Sequence, residues 1–184
     1  MEGMDWDSTN MDYFLKSRRL GFRCWKEDDL ALAMGLWGDT QVGAMIGGPF
    51  DADAVHARLA REMGRMNEHG VQYWPVFLLE DKRHVGCAGL QPYGRQAGVY
   101  ELGYHLRSDF WGQGLAKEAA QAVIDFGFGA LGAEWLFAGH HPLNRASRKV
   151  LLSLGFCYSG EALYPPSGTI EPTYRLMKPQ NDRR

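Results

Sequence analysis

The chain has 184 residues, of which 45% are hydrophobic and 23% are charged, a composition typical of folded globular proteins. Its formal net charge of −2 shows none of the basic excess that nucleic-acid-binding domains carry. Three cysteines without a Cys-x-x-Cys spacing argue against a disulfide framework and a zinc site, and no apolar run reaches the length of a membrane span. We therefore expect a cytoplasmic protein with no metal, no nucleic-acid partner and no membrane partner.

The length predicts one domain, over residues 17–178. Its first half is predicted to form a strand, two helices and a β-hairpin. Aspartates precede both helices as N-caps, and Gly70 ends the second. The segment 1–16 is polar, lacks a signal-peptide pattern and is interpreted as a disordered or docking tail, with 179–184 as a second tail. The predicted elements are a strand over 19–25, helices over about 29–37 and 53–66, and hairpin strands over 73–80 and 84–90.

The second half predicts alternating strands and helices. Residues 99–106 alternate in character as a strand does, and from 115 to 131 the apolar residues recur on one helical face. Asn144 and Gly155 are the expected N-cap and C′ residue of a further helix. A strand over 134–139 and a last hairpin over 156–163 and 173–177 complete the order, which predicts an α/β (α+β) fold with a mixed sheet and helices on both faces.

The most informative segment is Trp111-Gly112-Gln113-Gly114-Leu115-Ala116, between the strand over 99–106 and the next helix. Two glycines before a helix leave backbone N–H groups free at the positive end of the helix dipole, which is a binding site for anions such as phosphate. The segment lacks the Walker A sequence, and Glu118 stands near the place of the third glycine of a dinucleotide fingerprint. These mismatches disfavour a nucleotide-binding protein.

The glycine pair, entered from a strand and followed by a helix, resembles the pyrophosphate loop of the GNAT-type N-acetyltransferases, which hold the diphosphate of acetyl-CoA. Within that family, the chain is similar to the ribosomal-protein-alanine N-acetyltransferase-like (Rim) branch. The match covers roughly residues 18–178. Besides the loop, three segments carry it in chain order: residues 20–30 (LGFRCWKEDDL), 100–104 (YELGY) and 144–156 (NRASRKVLLSLGF).

The resemblance implies a mostly antiparallel sheet whose fourth and fifth strands splay apart, with acetyl-CoA as co-substrate in the gap. Asn144 is expected to contact the coenzyme as well as to cap its helix, and the backbone near Leu106 is expected to meet the pantetheine arm by strand-like pairing. The diphosphate is expected on the backbone N–H groups of Gly112, Gln113, Gly114, Leu115 and Ala116.

Acetyl transfer to an amine needs a base for the amine proton and stabilisation of the leaving thiolate. Glu101 is the candidate general base, because a carboxylate among apolar strand neighbours has a raised pKa when desolvated; the alternative is an edge carboxylate or an ion-pair partner. Ser147 is the candidate acid or thiol-binding group, since the tyrosine used by other branches corresponds to Leu151 here. The alternative for Ser147 is a bond to the helix end. Aromatic candidates for an acceptor pocket are Trp37, Phe50, Tyr73, Trp74, Tyr93 and Tyr164.

The sequence therefore predicts an acetyl-CoA-dependent N-acetyltransferase that acts by direct transfer on a primary amine. The Rim-like branch favours a protein N-terminus as acceptor, and a small-molecule amine stays open. The alternative function is a non-catalytic acyl-CoA-binding or sensor module, which would keep the loop and lose the acid–base groups. A homodimer is compatible with this kind of domain.

Overall fold

The computed structural model describes residues 12–94 and 96–179. Within these residues, eight strands form one sheet: β1 (Leu15–Lys16), β2 (Leu20–Phe22), β3 (Tyr73–Leu78), β4 (His84–Pro92), β5 (Val99–Leu106), β6 (Trp135–Gly139), β7 (Cys157–Tyr164) and β8 (Thr169–Met177). Their order across the sheet is β1-β2-β3-β4-β5-β6-β8-β7. Strands β5 and β6 pair in parallel, and all other neighbours pair antiparallel.

Helices connect these strands, and polar side chains cap several of them. The Asp51 carboxylate accepts a hydrogen bond from the Ala54 N–H at 2.8 Å, and Gly70 ends the same helix with a left-handed φ of 68°. In the described part of the chain, none of the helices is long and apolar enough to cross a membrane. The helices are α1 (Leu30–Trp37), α2 (Thr40–Gly43), α3 (Ala52–His69), α4 (Leu115–Gly129) and α5 (Arg145–Ser153).

Each face of the sheet packs against its own helices. Tyr73 and Cys87 point to the face that α1 and α3 cover, while Trp74, Ala88 and Leu102 point to the face that α4 covers. This follows from strand geometry, since successive side chains alternate between the faces. The predicted mixed, mostly antiparallel sheet with helices on both faces is confirmed.

Strands β5 and β6 pair only at their beginnings, from Val99 opposite Trp135 to Glu101 opposite Phe137. Beyond that point β5 stays bonded to β4 as far as Leu106, while β6 follows β8. The two strands therefore separate, and one edge of β5 is left open over residues 102–106. The splay predicted from the family resemblance is confirmed here; the short β1 shifts the strand numbers by one.

Two short elements differ from the sequence prediction. Leu15–Lys16 pairs with β2, so the folded sheet starts inside the segment 1–16 that was interpreted as a tail. Helix α2, capped by the Asp39 carboxylate, follows α1 where no helix was predicted. Elements of two and four residues are too short to show a hydrophobic period. The other residues of the predicted tails, 1–11 and 180–184, lie outside the described residues.

Candidate active site

A cleft of about 1320 Å³ opens where β5 and β6 separate. It is lined from one face of the sheet by the start of α4 and by α5, and from the other face by α3. Glu101 and Tyr104 both line it, although an odd spacing places their side chains on opposite faces of β5. The cleft therefore passes through the sheet at the gap, and an extended ligand in it would contact groups of both faces.

The glycine loop, residues 111–116, forms the turn into α4 at this cleft. Gly112 and Gly114 have φ angles of 76° and 74°, a left-handed conformation that other residue types rarely adopt. A Cβ built on Gly112 would meet no atom within 4 Å, and one on Gly114 would meet only the Arg19 guanidinium at 3.8 Å. The glycines are thus required by the backbone, and the space beside them is open to a ligand.

Positive charge surrounds the start of α4. The N–H groups of the first helical turn have no carbonyl partner within their own helix, and they lie at the positive end of the helix dipole. Lys117 on α4 and Arg145 and Lys149 on α5 line the same cleft. These donors and cations suit a phosphate-bearing ligand such as the diphosphate of a coenzyme.

Two side chains fix the glycine loop from outside. The Trp111 indole N–H donates to the Leu106 carbonyl at 2.8 Å, which ties the loop to the end of β5. Arg19 donates from both terminal nitrogens to the Gln113 carbonyl at 3.2 Å, and its Nε lies 2.7 Å from the Glu118 carboxylate. The sequence did not indicate either contact: Arg19 is 94 residues from Gln113, and the Trp111 bond spans an irregular turn that has no periodic pattern.

The candidate coenzyme residues do not all contribute in the same way. The side chain of Leu115 is 1% exposed and belongs to the core under α4, so only its backbone is available to a ligand. Gln113 does not line the cleft. The candidates that do line the cleft are Leu106, Gly112, Gly114, Leu115, Ala116 and Asn144.

Helix α5 brings Asn144 and Ser147 to the cleft. The Asn144 side-chain oxygen accepts a hydrogen bond from the Ser147 backbone N–H at 3.0 Å, so Asn144 is the N-cap that the sequence predicts. The Ser147 carbonyl accepts the Tyr104 hydroxyl at 3.3 Å. Burial raises the pKa of Tyr104 to about 12, which the bond to Ser147 offsets only in part. The Tyr104 hydroxyl is therefore a protonated donor beside Ser147, and the sequence did not single it out.

Glu101 lies half-buried in the cleft wall on the α3 side. Gln91, its cross-strand neighbour on β4, donates to one carboxylate oxygen at 2.8 Å. Burial raises the pKa of Glu101 above its ordinary value; the Gln91 bond and the charge of Arg65 oppose this, and Glu171 adds to it. Glu101 is therefore a carboxylate whose basicity is increased by its surroundings, as general-base chemistry requires.

Tyr73 lies beside Glu101 over the glycine in the middle of β5. A Cβ on Gly103 would collide with the Tyr73 ring. The ring therefore fits here because residue 103 has no side chain. The same ring packs edge-on against His105 at a centroid distance of 5.7 Å. Burial lowers the pKa of His105 well below its usual value, with the charge of Arg58 adding to the effect. His105 is therefore a neutral imidazole separated from Glu101 by the Tyr73 ring.

Three cleft residues on the α3 side were missed by the sequence analysis: Arg58, Arg61 and Glu171. A signal for Arg58 existed, since it is three residues after Val55 and lies on the predicted apolar stripe of its helix. Glu171 is buried, and burial raises its pKa while a hydrogen bond from Thr169 lowers it. Among the aromatic candidates, Phe50, Tyr73, Tyr93 and Tyr164 line the cleft, whereas Trp37 and Trp74 are core residues.

Comparisons with known proteins agree with this architecture. The family model described as an acetyltransferase (GNAT) domain matches residues 19–157. An uncharacterized N-acetyltransferase, p20 of Bacillus licheniformis, is 28% identical over 148 residues, which cover 79% of this chain and 83% of that protein.

Solved structures share the fold. A GNAT-family acetyltransferase from Bacillus anthracis superposes with a TM-score of 0.78 at 24% identity, covering 89% of this chain and 98% of that one. RimL, described as a ribosomal L7/L12 alpha-N-protein acetyltransferase in complex with coenzyme A, gives a TM-score of 0.76 at 15% identity, with 90% and 98% of the chains covered. At these identities, the two structures establish similarity of fold.

Proposed function

Because the chain belongs to the GNAT family of acetyltransferases, we propose that it transfers the acetyl group of acetyl-CoA to a primary amine, with Glu101 as the general base. The observation that supports this most is the glycine loop at the mouth of the β5–β6 gap. It combines two left-handed glycines, the start of α4 and three cationic side chains in one cleft. This set of donors fits the diphosphate and the remaining phosphate of coenzyme A.

In this proposal the coenzyme crosses the gap in the sheet. The backbone N–H groups of Gly112, Gln113, Gly114, Leu115 and Ala116 hold the diphosphate, with Asn144 at the start of α5 as a further contact. The open edge of β5 pairs with the amide groups of the pantetheine arm. The Leu106 carbonyl already accepts the Trp111 indole, so the strand groups before Leu106 are the better candidates for this pairing.

The acceptor amine approaches from the α3 side, where Glu101 takes its proton. The neutral amine then attacks the thioester carbonyl carbon, a new C–N bond forms, and the C–S bond breaks. The leaving thiolate is stabilised on the α5 side by a hydrogen bond that the Ser147 hydroxyl is proposed to donate, and it takes up the second proton, which the nitrogen loses as the amide forms. The raised pKa of Glu101 brings it closer to neutral pH and makes it a stronger base than an ordinary carboxylate.

Two classes of acceptor are proposed. The fold is shared with RimL, whose description names a ribosomal protein as its target, and this supports a protein N-terminus as one acceptor. A small-molecule amine is the other. We expect the reaction to take place in the cytoplasm, where acetyl-CoA is available.

Thiol release tests the proposal. The protein is incubated with acetyl-CoA and a panel of peptides and small amines, and free CoA is measured for the wild type, Glu101→Gln and Glu161→Gln. Glu161 is an exposed carboxylate on β7 outside the cleft and is the matched control. We expect amine-dependent release in the wild type and the control and a loss of about 100-fold or more in Glu101→Gln.

Two other outcomes have distinct meanings. Coenzyme binding without turnover on any amine would contradict the enzymatic proposal and favour the acyl-CoA sensor. Undiminished turnover in Glu101→Gln would keep the enzyme and remove Glu101 from the mechanism.

A further inference from the structure

Arg58 is a buried cation that has no carboxylate partner among the described residues. It lies on α3, is 9% exposed and lines the cleft. Within residues 12–94 and 96–179, its Nε is buried with no hydrogen-bond partner, and no carboxylate forms an ion pair with it. An unpaired buried charge is unfavourable by several kcal/mol, as an order of magnitude, unless a counter-ion is supplied. Since Arg58 lines the cleft, an anionic ligand in the cleft could supply that counter-ion.

The neighbouring acids are already engaged. Glu62, one turn after Arg58, accepts from Arg65 at 2.6 Å and from the Tyr73 N–H at 2.9 Å. Glu101 accepts from Gln91. Glu62 and Glu101 are therefore hydrogen-bonded to other groups, and neither forms an ion pair with Arg58.

Aromatic rings hold the Arg58 guanidinium in place. Its Cζ lies 4.9 Å from the centre of the Trp37 ring and 5.6 Å from that of Phe50. Stacking of this kind fixes the plane of the guanidinium and leaves its edge for bidentate hydrogen bonds. A planar carboxylate or a phosphate is the group that fits that edge.

Arg61 supplies a second cation on the same wall. It is three residues after Arg58, so both project from one side of α3, and both line the cleft. Arg61 is exposed at the cleft; partial desolvation and the charges of Arg58 and Arg65 lower its pKa below the usual value, while Glu62 and Tyr164 oppose this. Among the described residues, no ion pair of Arg61 is found. Two like charges side by side are stabilised by an anion between them.

The two arginines and the proposed base share one pocket. Tyr164 interacts electrostatically with all of these groups. Burial raises the pKa of its phenol, the charges of Arg58 and Arg61 lower it, and those of Glu101 and Glu171 raise it. Its ring also lines the cleft. The pocket therefore has a carboxylate side at Glu101 and Glu171 and a guanidinium side at Arg58 and Arg61.

We propose that Arg58 and Arg61 bind an anionic group of the acceptor, so that the acceptor is a small amine that also carries a carboxylate or a phosphate. The ammonium group lies on the Glu101 side and the anion on the arginine side of one molecule. This inference rests on the proposed acetyl transfer and specifies its substrate class. It disfavours acceptors that bring only an amine, such as a polyamine or an uncharged peptide N-terminus.

Matched pairs of acceptors test the proposal. Thiol release is measured for each amino acid that has a primary amine and no thiol against its C-terminal amide, and for O-phosphoethanolamine against ethanolamine, with a C-terminally amidated peptide of uncharged residues as a further arm. The variants are Arg58→Gln, Arg61→Gln and Arg175→Gln. Arg175 stacks on Trp135 at 4.1 Å but lies outside the cleft, so it controls for the loss of a stacked arginine.

The expected result is a charged acceptor whose kcat/KM exceeds that of its uncharged partner by at least about tenfold. Arg58→Gln is expected to raise the KM of the charged acceptor by a similar factor and to change that of the uncharged partner less than about twofold. Arg175→Gln is expected to keep the preference. If Arg58→Gln does not fold, Arg61→Gln and the wild-type pairs decide the question in the same way.

Uncharged amides or the uncharged peptide acting as well as the acids would overturn the proposal, as would a preference that survives both Arg58→Gln and Arg61→Gln. If no amine is acetylated although coenzyme binds, the proposed function has failed, and calorimetric titration of the same amino acids into the CoA complex decides on the anion site. Binding that Arg58→Gln abolishes would support the site, and no binding in the wild type would refute it.

Discussion

At the scale of single residues, the pKa of the Glu101 carboxyl depends on the groups around it. Its carboxylate is half-buried beside Tyr73 and Tyr164, it receives one hydrogen bond from Gln91, and a second carboxylate, Glu171, lies on the same wall. Burial and Glu171 both favour the protonated form, and together they outweigh Gln91 and the charge of Arg65. An acid in this setting titrates above the usual carboxyl range.

The pH dependence of the reaction follows from this shift. Because only the deprotonated carboxylate accepts the amine proton, kcat/KM should rise with pH through the pKa of Glu101, with a midpoint above 4.5, the ordinary value for a glutamate. In Glu101→Gln, this limb should disappear while the dissociation constant of coenzyme stays within about twofold. A pH–rate profile of wild type, Glu101→Gln and Glu161→Gln measures the limb, and calorimetric titration with CoA measures the dissociation constant. An identical acidic limb in Glu101→Gln would assign it to another group.

Ser147 offers a second test at this scale, because its backbone and its side chain have separate roles. The cap bond from Asn144 goes to the Ser147 N–H, and Tyr104 bonds its carbonyl, so neither depends on the hydroxyl. Ser147→Ala should therefore slow the transfer several-fold with little change in unfolding temperature. Ser153→Ala, at the exposed end of the same helix, is the control. Full activity in Ser147→Ala would leave the serine with a structural role only.

At the scale of elements, the glycine loop gives the most specific prediction, which concerns coenzyme affinity. Gly114 has a left-handed φ and lines the cleft, and a Cβ there would face the Arg19 guanidinium, so Gly114→Glu adds backbone strain and a negative charge beside the proposed diphosphate site. Gly132 lies beyond the other end of α4 with a φ of 66° and open space around it. Gly132→Glu thus adds similar strain and charge away from the cleft. Calorimetry should show coenzyme affinity lost in Gly114→Glu and kept in Gly132→Glu.

A second prediction concerns how the loop is held against the sheet. Arg19, just before β2, bonds the Gln113 carbonyl and pairs with Glu118, which also receives the Ser17 hydroxyl at 2.7 Å. Arg19→Ala should free the loop and weaken coenzyme binding several-fold, whereas Arg18→Ala, at an exposed neighbour, should not. Titration calorimetry with CoA compares them. Equal affinity in Arg19→Ala and the wild type would show that the Arg19 contacts are not needed to hold the loop.

The Glu118 contact also has a pH signature. Burial raises the pKa of Glu118, but the bonds from Ser17 and Arg19 outweigh it, so the folded pKa lies below the unfolded one. A lowered carboxyl pKa stabilises the folded state above the unfolded pKa, and this contribution is lost as the pH falls through the folded value. Thermal unfolding of Glu118→Gln should therefore lose stability relative to wild type at pH 7, with the difference shrinking in acid. A pH-independent difference would contradict this assignment.

The elements also show what the sequence could predict. The bounds of β5, the start of α4 at Leu115 and the Asn144 cap follow from alternation, helical period and cap chemistry, which are local. The short β1 has no such pattern, since its two residues are ordered by pairing with β2. Arg58 was passed over because the apolar period of α3 is counted on residues such as Val55 and Leu59, and a charged residue beside them on the stripe is not counted, although the fold buries it.

At the scale of the whole molecule, the site exists because the sheet divides. Helix α4 and the glycine loop lie on one face, and α3 lies on the other. Only the gap between β5 and β6 connects them, so coenzyme groups on one side meet Glu101 on the other. This division depends on the pairing of strands that are far apart in the sequence. The sequence motif predicts it only through resemblance to a family.

The most direct test of acetyl-CoA binding in this gap is thermal unfolding of the wild type and of Gly114→Glu with acetyl-CoA, CoA, ATP and NAD in parallel. A ligand at about 100 times its dissociation constant should add roughly 2.7 kcal/mol of stability. We predict a rise in unfolding temperature of the wild type with acetyl-CoA and CoA alone, and no rise in Gly114→Glu. A shift with ATP or NAD but not with CoA, or an equal shift in both proteins, would contradict the account.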